Sequence, residues 1–293
     1  MPTQADSLLL INNPVDTIQM YQPARSRRTP RIGVTGGKGG VGKSTIAANL
    51  AVALARGVRR GIAPKILLVD CDFGLSSLDA ILNLPRNYNL SHGITSNRSV
   101  EQLVVRGPSG VDVLLAPRGI ENYAQLDVTK RSAILSMINK GAESRDIAIF
   151  DLPAGIHQDG LAIAHTADLL LVVATPDPAS IADAYAVVKI AHTRAPLTKI
   201  GLIVNEAPGP VEARQLAERF VAVVGRFLGS QIESFGWIPR DAAVTRATAA
   251  RKPLVLAEPG SSAAAALRLL AGRVTNAVTT IQLAAPASSS EWI

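Results

Sequence analysis

Seven continuous apolar runs of strand length recur along this 293-residue sequence. They show little alternation of apolar and polar residues, which is typical of strands buried on both faces of a sheet. Helical segments separate most of them, so the order favours an α/β fold with a largely parallel sheet and helices on both faces. The runs are RIGVTG (31–36), KILLVD (65–70), VDVLLAP (111–117), IAIFD (147–151), LLLVVATP (169–176), LIVNEAP (202–208) and FGWIP (235–239).

The alternating pattern sets the expected domain organisation. A single domain is predicted over 31–283, ending in a helix at 263–283, after an extension over 1–30 and before a flexible tail over 284–293. With 47% hydrophobic residues the chain can form a sizeable core. The most apolar run, 161–176, contains His165 and Asp168, so we interpret it as a helix end and a buried strand, not a membrane span.

Composition narrows the classes of function. One cysteine, Cys71, excludes an internal disulfide and a cysteine-rich metal site within one chain, and the four histidines lack metal-ligand spacing. The single cysteine favours a reducing, cytoplasmic setting. No signal peptide is expected, because the start lacks a basic segment followed by an apolar one. The net charge of +7 favours anionic partners. The arginine-rich stretch at 24–31 is either a solvated linker or a contact for nucleic acid or anionic lipid.

The stretch GKGGVGKS (37–44) has the spacing of a phosphate-binding loop, and it lies between an apolar strand and a strongly helical segment. Its glycines allow backbone N–H groups to surround phosphates at the positive end of the helix. Lys43 is expected to reach the β- and γ-phosphates of ATP or ADP, and Ser44 to coordinate Mg²⁺. The predicted nucleotide contacts here are Gly37, Lys38, Gly39, Gly40, Val41, Gly42, Lys43, Ser44 and Thr45.

Three aspartates follow the loop at the ends of predicted strands. Asp70 and Asp72 end one strand and Asp151 ends another, where open parallel sheets place their ligand crevice. We expect one of the first two to hold the water shell of the metal and the other to orient the attacking water. Asp151 is predicted to be a second carboxylate on the Mg²⁺ side, followed by a mobile switch loop.

Two later segments are candidates for contacts with the base. Asn205, at the end of GLIVN, is predicted either to bind the adenine edge or simply to form a turn. The IPRD segment (238–241) is predicted to enclose the base through backbone groups of Pro239 and Asp241.

These motifs resemble those of a known family. KGGVGKS resembles the deviant Walker A motif of the MinD/ParA group of P-loop ATPases, whose fold is the SIMIBI type. The resemblance implies ATP hydrolysis to ADP and phosphate in a homodimer, with Lys38 reaching the phosphates of the partner. DCDFGLSSLD resembles the switch I segment of MinD-like proteins. It implies that Asp72 orients water, with Lys38 and Lys43 as the other catalytic residues, and that Ser44, Asp70 and Asp151 serve the metal.

Within the group, DPASIADAYAVVK (177–189) is similar to a segment of the FlhG/FleN regulators of flagellar number and position. GLIVNEAP, RFL (226–228) and GWIPRD extend the similarity, which covers 31 to about 275. The same alignment implies that Asp183 pairs with Lys38 in the resting state.

The extension also resembles this family. TQADSLLLI (3–11) is similar to an amino-terminal element that inserts a glutamine into an SRP-type GTPase, the FlhF-like partner. Gln4, Ala5 and Leu8 match the element, whereas Thr3 and Leu9 depart from its Asp and Arg. The segment is therefore interpreted as a GTPase-activating element or, alternatively, as a frayed terminus.

The other end of the chain departs from the family. AAPASSSEWI has no basic face, so the basic amphipathic helix that binds membrane in MinD is not expected here. The predicted localisation is cytoplasmic, or peripheral at the inner membrane or cell pole through a partner. The alternative function is a MinD/ParA-like organiser of the division site or of DNA, which predicts salt-sensitive association with nonspecific DNA.

Overall fold

The seven apolar runs and one further short strand form an eight-stranded sheet in the computed structural model, which describes residues 29–57, 62–73, 76–117, 127–155, 163–196 and 198–284. The strand order is β3-β4-β2-β5-β1-β6-β7-β8. The strands are β1 Arg31–Gly36, β2 Ile66–Asp70, β3 Val105–Arg106, β4 Asp112–Leu114, β5 Ile147–Ala154, β6 Leu169–Ala174, β7 Lys199–Ala207 and β8 Glu233–Pro239.

Every neighbouring pair of strands is parallel except β3 with β4. The predicted, largely parallel sheet is therefore confirmed. The edge strand β3 was missed because two residues are too few to show a period. The seven predicted runs correspond to the other seven strands, with ends that differ by a few residues.

Helices cover both faces of the sheet. The helices are α1 Lys43–Ala55, α2 Leu78–Leu82, α3 Leu90–Thr95, α4 Val100–Leu103, α5 Val128–Glu143, α6 Pro178–Arg194, α7 Pro210–Leu228, α8 Ala242–Ala249, α9 Leu254–Ala257 and α10 Ser262–Ala284. Each end of α10 lies within one residue of the helix predicted at 263–283. Among the described residues, no helix is both long enough and apolar enough to cross a membrane.

Two hydrophobic cores lie on opposite faces of the sheet. In β2, Leu68 packs into the core that contains α1 and α10, whereas Leu67 and Val69 pack into the core that contains α5, α6 and α7. Because successive side chains of a strand point to opposite faces, a strand covered on both sides must be apolar throughout. This arrangement explains the continuous apolar runs. It also holds the ends of β2 and β5, where the aspartates lie, in fixed positions.

A close approach between β7 and β8 requires glycine at position 201. A Cβ atom there would lie 2.3 Å from Cδ2 of the buried Phe235 ring and 3.1 Å from Cδ2 of Leu171. Gly225, in α7, is a contrasting case because a Cβ there would meet no described atom within 4 Å beyond the backbone of its own helix.

We predict that Gly201→Ala lowers the free energy of unfolding by about 1–3 kcal/mol, since the Phe235 ring must shift within a packed core. Thermal unfolding should show a melting temperature lower by roughly 3–10 °C. The matched control, Gly225→Ala, should raise stability by about 0.5–1 kcal/mol because alanine favours the helix. Equal melting temperatures for the two variants would contradict the packing argument.

Candidate functional site

The predicted phosphate loop connects β1 to α1 at the edge where the parallel strands end. Gly40 and Gly42 have φ angles of +79° and +92°, a left-handed conformation that glycine adopts without steric cost. Gly42 directly precedes α1, so the loop closes onto the amino-terminal end of that helix. Backbone N–H groups at such an end bind anions, so the loop has the backbone that phosphate binding requires.

The glycines of the loop differ in why they are needed. A Cβ at Gly37 would lie 2.2 Å from Cβ of Asp183, and one at Gly36 would lie 2.8 Å from the Val173 carbonyl oxygen. Packing of the chain on itself therefore requires glycine at both positions. At Gly39 a Cβ would meet none of the described atoms within 4 Å, so the surface beside it has room for a ligand or a second subunit.

The two lysines of the loop are turned to different surroundings. Lys43 is buried, and its charge acts on Asp151. Lys38 is 39% exposed and forms an ion pair with Asp177, which is itself 46% exposed. Lys43 therefore faces the interior of its own site, whereas Lys38 lies at the surface.

Asp183 was predicted as the resting partner of Lys38, and this prediction is wrong for this structure. Asp177 takes that place at the start of α6, where its Oδ2 also accepts a hydrogen bond of 3.0 Å from the Ser180 backbone N–H. The lysine and this N–H together hold the pKa of Asp177 below its usual range. The backbone of Asp183 instead lies against Gly37.

Asp70 and Asp151 are register neighbours on β2 and β5, and both are buried. Burial raises the pKa of Asp70 to about 6, although hydrogen bonds from the Ser76 hydroxyl and the Asp72 backbone oppose the shift. Burial also raises the pKa of Asp151 well above its usual range. The charge of Asp70 adds to that shift, and Ser44 and Lys43 oppose it. The paired strands thus place two carboxyl groups side by side with little solvent.

Ser44, Asp70 and Asp151 are suitable ligands for the predicted Mg²⁺. Both carboxylate oxygens of Asp151 are buried and lack a well-formed hydrogen bond with any described residue. Mg²⁺ prefers oxygen ligands and is usually held by one or two carboxylates together with substrate phosphates. In the described part of the chain, no three His, Cys, Asp or Glu side chains form a metal site by themselves. Ser44, Asp70 and Asp151 therefore suit an ion that is bound together with phosphate oxygens.

Asp72, the predicted water-orienting residue, follows directly after β2 and is half-buried. Its backbone N–H donates a 3.1 Å hydrogen bond to Oδ1 of Asp70. Its charge also raises the pKa of Asp70 and Asp151. The structure therefore brings all three predicted carboxylates to one edge of the sheet, and their roles in hydrolysis stay predictions. Cys71, between the first two, is buried as expected.

The predicted base contacts have structural partners that the sequence did not reveal. The Asn205 amide donates a 2.9 Å hydrogen bond to the Val41 carbonyl and so supports the phosphate loop. Asp241 caps α8 through Ala243 N–H at 2.9 Å, and its other oxygen accepts from Ala263 N–H at 3.1 Å. Pro239 ends β8. Contacts of these three residues with adenine stay predictions.

Two residues beside the site were missed from the sequence. Asp177 begins a D-P-x-S pattern that is typical of a helix start, and this signal alone identifies a cap but not a partner for Lys38. Ser76 donates a 2.7 Å hydrogen bond to Oδ2 of Asp70; it lies in the DCDFGLSSLD segment, but no role was assigned to it from the sequence. The predicted switch loop after Asp151 and the Gln4 segment lie outside the described residues, apart from the first residues of that loop.

Comparisons with known proteins agree with these features. A family model for the CobQ/CobB/MinD/ParA nucleotide binding domain matches residues 32–254. The antiactivator FleN of Pseudomonas aeruginosa is 31% identical over 243 residues, which cover 83% of this chain and 85% of that protein. The flagellum site-determining protein YlxH of Helicobacter pylori is 29% identical over an alignment that covers 97% of this chain and 93% of that protein.

The fold also matches a solved structure. The cell division ATPase MinD of Pyrococcus furiosus superposes with a TM-score of 0.68 and 26% identity, covering 84% of this chain and 98% of that chain. Together, these matches confirm the resemblance and the fold class that the sequence predicted.

We predict that Asp70→Asn stabilises the nucleotide-free protein in a pH-dependent way. The folded pKa of about 6 lies above the ordinary aspartate value of 3.8, so the folded protein binds this proton more tightly than the unfolded protein. The cost of the buried charge is therefore absent below pH ~4, grows as the pH rises, and is complete above pH ~6. The variant should match the wild type at pH 4 and exceed it by up to about 3 kcal/mol at pH 7.

Thermal unfolding of both proteins across this pH range measures the difference. The surface variant Asp127→Asn is the control, because hydrogen bonds from Lys130 lower the pKa of this exposed helix cap. Any effect of the control should have the opposite sign, with stability lost at pH 7. Parallel pH profiles for wild type and Asp70→Asn would show that Asp70 carries no such cost.

Proposed function

The chain belongs to the CobQ/CobB/MinD/ParA family of nucleotide-binding proteins, and from this premise we propose that it is an ATP-dependent dimerising switch ATPase. We further propose that, as in the FlhG/FleN regulators, the switch controls the number and placement of flagella. The observation that carries the proposal is the phosphate loop, with Lys43 turned inward and Lys38 held at the surface.

The residues of one subunit account for nucleotide binding. The phosphates bind to backbone N–H groups of the loop and of the amino-terminal end of α1. Lys43 adds positive charge from within the site. Ser44, Asp151 and Asp70 would hold Mg²⁺, which would supply positive charge to neutralise the phosphate oxygens. Asp72 orients the attacking water.

A second subunit supplies the remaining charge. Because Lys38 is exposed and the surface beside Gly39 is open, the lysine can reach the nucleotide of a facing subunit. An arginine supplied in trans accelerates hydrolysis by GTPases by ~10³–10⁵-fold, and a lysine in trans acts through the same electrostatics. Hydrolysis is then conditional on the dimer, and it separates the subunits again.

The ion pair with Asp177 provides a resting state for Lys38. Exposed ion pairs contribute little to stability because water and salt screen them, so the lysine can leave this partner at small cost. A nucleotide phosphate in a water-poor interface is a stronger attractor than an exposed carboxylate. The ion pair therefore positions Lys38 in the monomer, and breaking it adds only a small cost to dimerisation.

The similarity to FleN and YlxH supports the flagellar role, because the alignments with this chain span most of the length of both proteins. The proposed partner is an SRP-type GTPase, contacted through the Gln4 segment, which lies outside the described residues. The proposed location is the cytoplasm, or the inner membrane or cell pole through that partner.

We predict that Lys38→Ala abolishes ATP-dependent dimerisation and lowers ATP hydrolysis at least ten-fold while nucleotide binding persists. The reason is that Lys38 serves the partner's phosphates, whereas Lys43 serves its own. Light scattering after size exclusion, with Mg²⁺ and a non-hydrolysable ATP analogue, measures the mass of the particle.

Two variants make this comparison specific. Lys140→Ala removes an exposed lysine on α5 and should dimerise like the wild type. Asp177→Asn keeps an oxygen for the helix cap but removes the charge that holds Lys38, so it should dimerise at lower ATP concentration. A wild type that stays monomeric in ATP would contradict the proposed function.

We predict that the ATP-locked variant Asp72→Ala recovers an SRP-type GTPase when used as bait in a pull-down from its native cells. Replacing Gln4 by Ala in this background should weaken activation of the GTPase. The double variant Lys38→Ala with Asp72→Ala, which cannot dimerise, is the control bait. Recovery of septation or chromosome proteins instead would support the MinD/ParA-like organiser.

A further inference from the structure

A line of polar contacts connects Asp70 to Arg86 and Asp79 through Ser76. The Ser76 hydroxyl donates a 2.7 Å hydrogen bond to Oδ2 of Asp70. The Arg86 guanidinium donates from Nη2 to the Ser76 oxygen at 3.3 Å. The same guanidinium forms a forked ion pair with Asp79 in α2, through Nε and Nη2. A surface-side arginine is thereby connected to a carboxylate of the proposed metal site.

The Ser76 hydroxyl is directed by its two neighbours. A hydroxyl has one hydrogen to donate, and here it goes to Asp70. Because Arg86 donates to a lone pair of the same oxygen, the hydroxyl is favoured in the orientation that points to Asp70. Ser76 and Asp70 are both buried, so these contacts are stronger than they would be in water.

Arg86 is in turn held by Asp79. The Asp79 side chain is only 8% exposed and that of Arg86 is 29% exposed, so the pair lies partly inside the protein. A guanidinium forms two parallel bonds to a carboxylate and still has N–H groups directed elsewhere. A lysine would preserve the charge beside Asp79 but lacks this planar fork, so the contact with Ser76 depends on arginine specifically.

Asp70 is consequently held at both oxygens. The Asp72 backbone N–H occupies Oδ1 at 3.1 Å, and Ser76 occupies Oδ2. Rotation of the carboxylate about its bond to Cβ would break both contacts. Its orientation is therefore set by the segment that follows β2, and through Ser76 by Arg86.

From this arrangement we infer that Arg86 is a positioning residue for Mg²⁺-dependent nucleotide binding, acting on Asp70 through Ser76. The inference rests on the proposed function, because it concerns the same nucleotide site. In this proposal Arg86 acts through Ser76 and makes no direct contact with the nucleotide or the metal. It sets how well the Asp70 carboxylate is aligned when the ion binds, and it ties that alignment to the position of α2.

The test compares nucleotide affinity with and without Mg²⁺ in the full chain. A fluorescent ADP analogue is titrated with wild type, Ser76→Ala and Arg86→Lys, once in Mg²⁺ and once in EDTA. We expect the increase in affinity caused by Mg²⁺ to be about ten-fold smaller in each variant than in the wild type. This factor corresponds to the loss of one charge-assisted hydrogen bond. The affinity in EDTA should be unchanged. The double variant should lose no more than either single one, because both act through one contact.

Ser77→Ala is the matched control for the serine. Ser77 stands next to Ser76 and begins α2 without a side-chain capping bond, so its replacement should leave the Mg²⁺ effect unchanged. A second control addresses folding, since Arg86→Ala would strand the buried Asp79 charge. The combined variant Arg86→Met with Asp79→Leu removes both charges and should fold normally, yet lose the Mg²⁺ effect like Ser76→Ala.

The outcomes separate this inference from the proposed function. If wild type shows Mg²⁺-enhanced binding and Arg86→Lys retains the full enhancement, the positioning role of Arg86 is refuted while the proposed function stands. The positioning role is also refuted if the double variant, Arg86→Met with Asp79→Leu, folds and keeps the full Mg²⁺ enhancement of binding. If wild type binds no nucleotide in Mg²⁺, the proposed function fails and this inference fails with it.

Discussion

Asp70 and Asp151 lie side by side at the ends of β2 and β5, and the cost of burying two carboxyl groups governs the rest of the site. Burial raises the pKa of both groups, and in Asp151 neither oxygen has a well-formed hydrogen bond with a described residue. Nearby positive charge offsets this cost in part, from Lys43 and from the amino-terminal end of α1. The nucleotide-free site is thus destabilised in a way that a cation relieves.

The division of labour between the two lysines depends on the same edge of the sheet. Lys43 begins α1 and its charge acts on the buried Asp151, whereas Lys38 pairs with Asp177 at the start of α6. The glycines between them leave an open surface at Gly39. Under the proposed function, such a loop serves the phosphates of its own nucleotide and presents one charge outward to a second subunit.

Much of this architecture could be predicted because it depends on local pattern. Strands covered on both faces must be apolar throughout, so β2, β5 and β6 are visible as runs of residues. The loop is recognisable because its glycines, Lys43 and Ser44 have a fixed spacing within 37–44, which follows a strand and leads into a helix. The carboxyl groups at the strand ends could be grouped because parallel strands bring those ends to one edge.

The sequence by itself therefore determined the fold class, the phosphate loop and the three aspartates beside it. Only the tertiary structure decided that Lys38 meets Asp177 instead of Asp183, that Asn205 supports the loop, and that Arg86 reaches Asp70 through Ser76. Lys38 and Asp177 are 139 positions apart, and Asn205 and Val41 are 164 apart. Periodicity reports which face of an element is buried, but contacts at such separations depend on the helix packing and strand register of the whole domain.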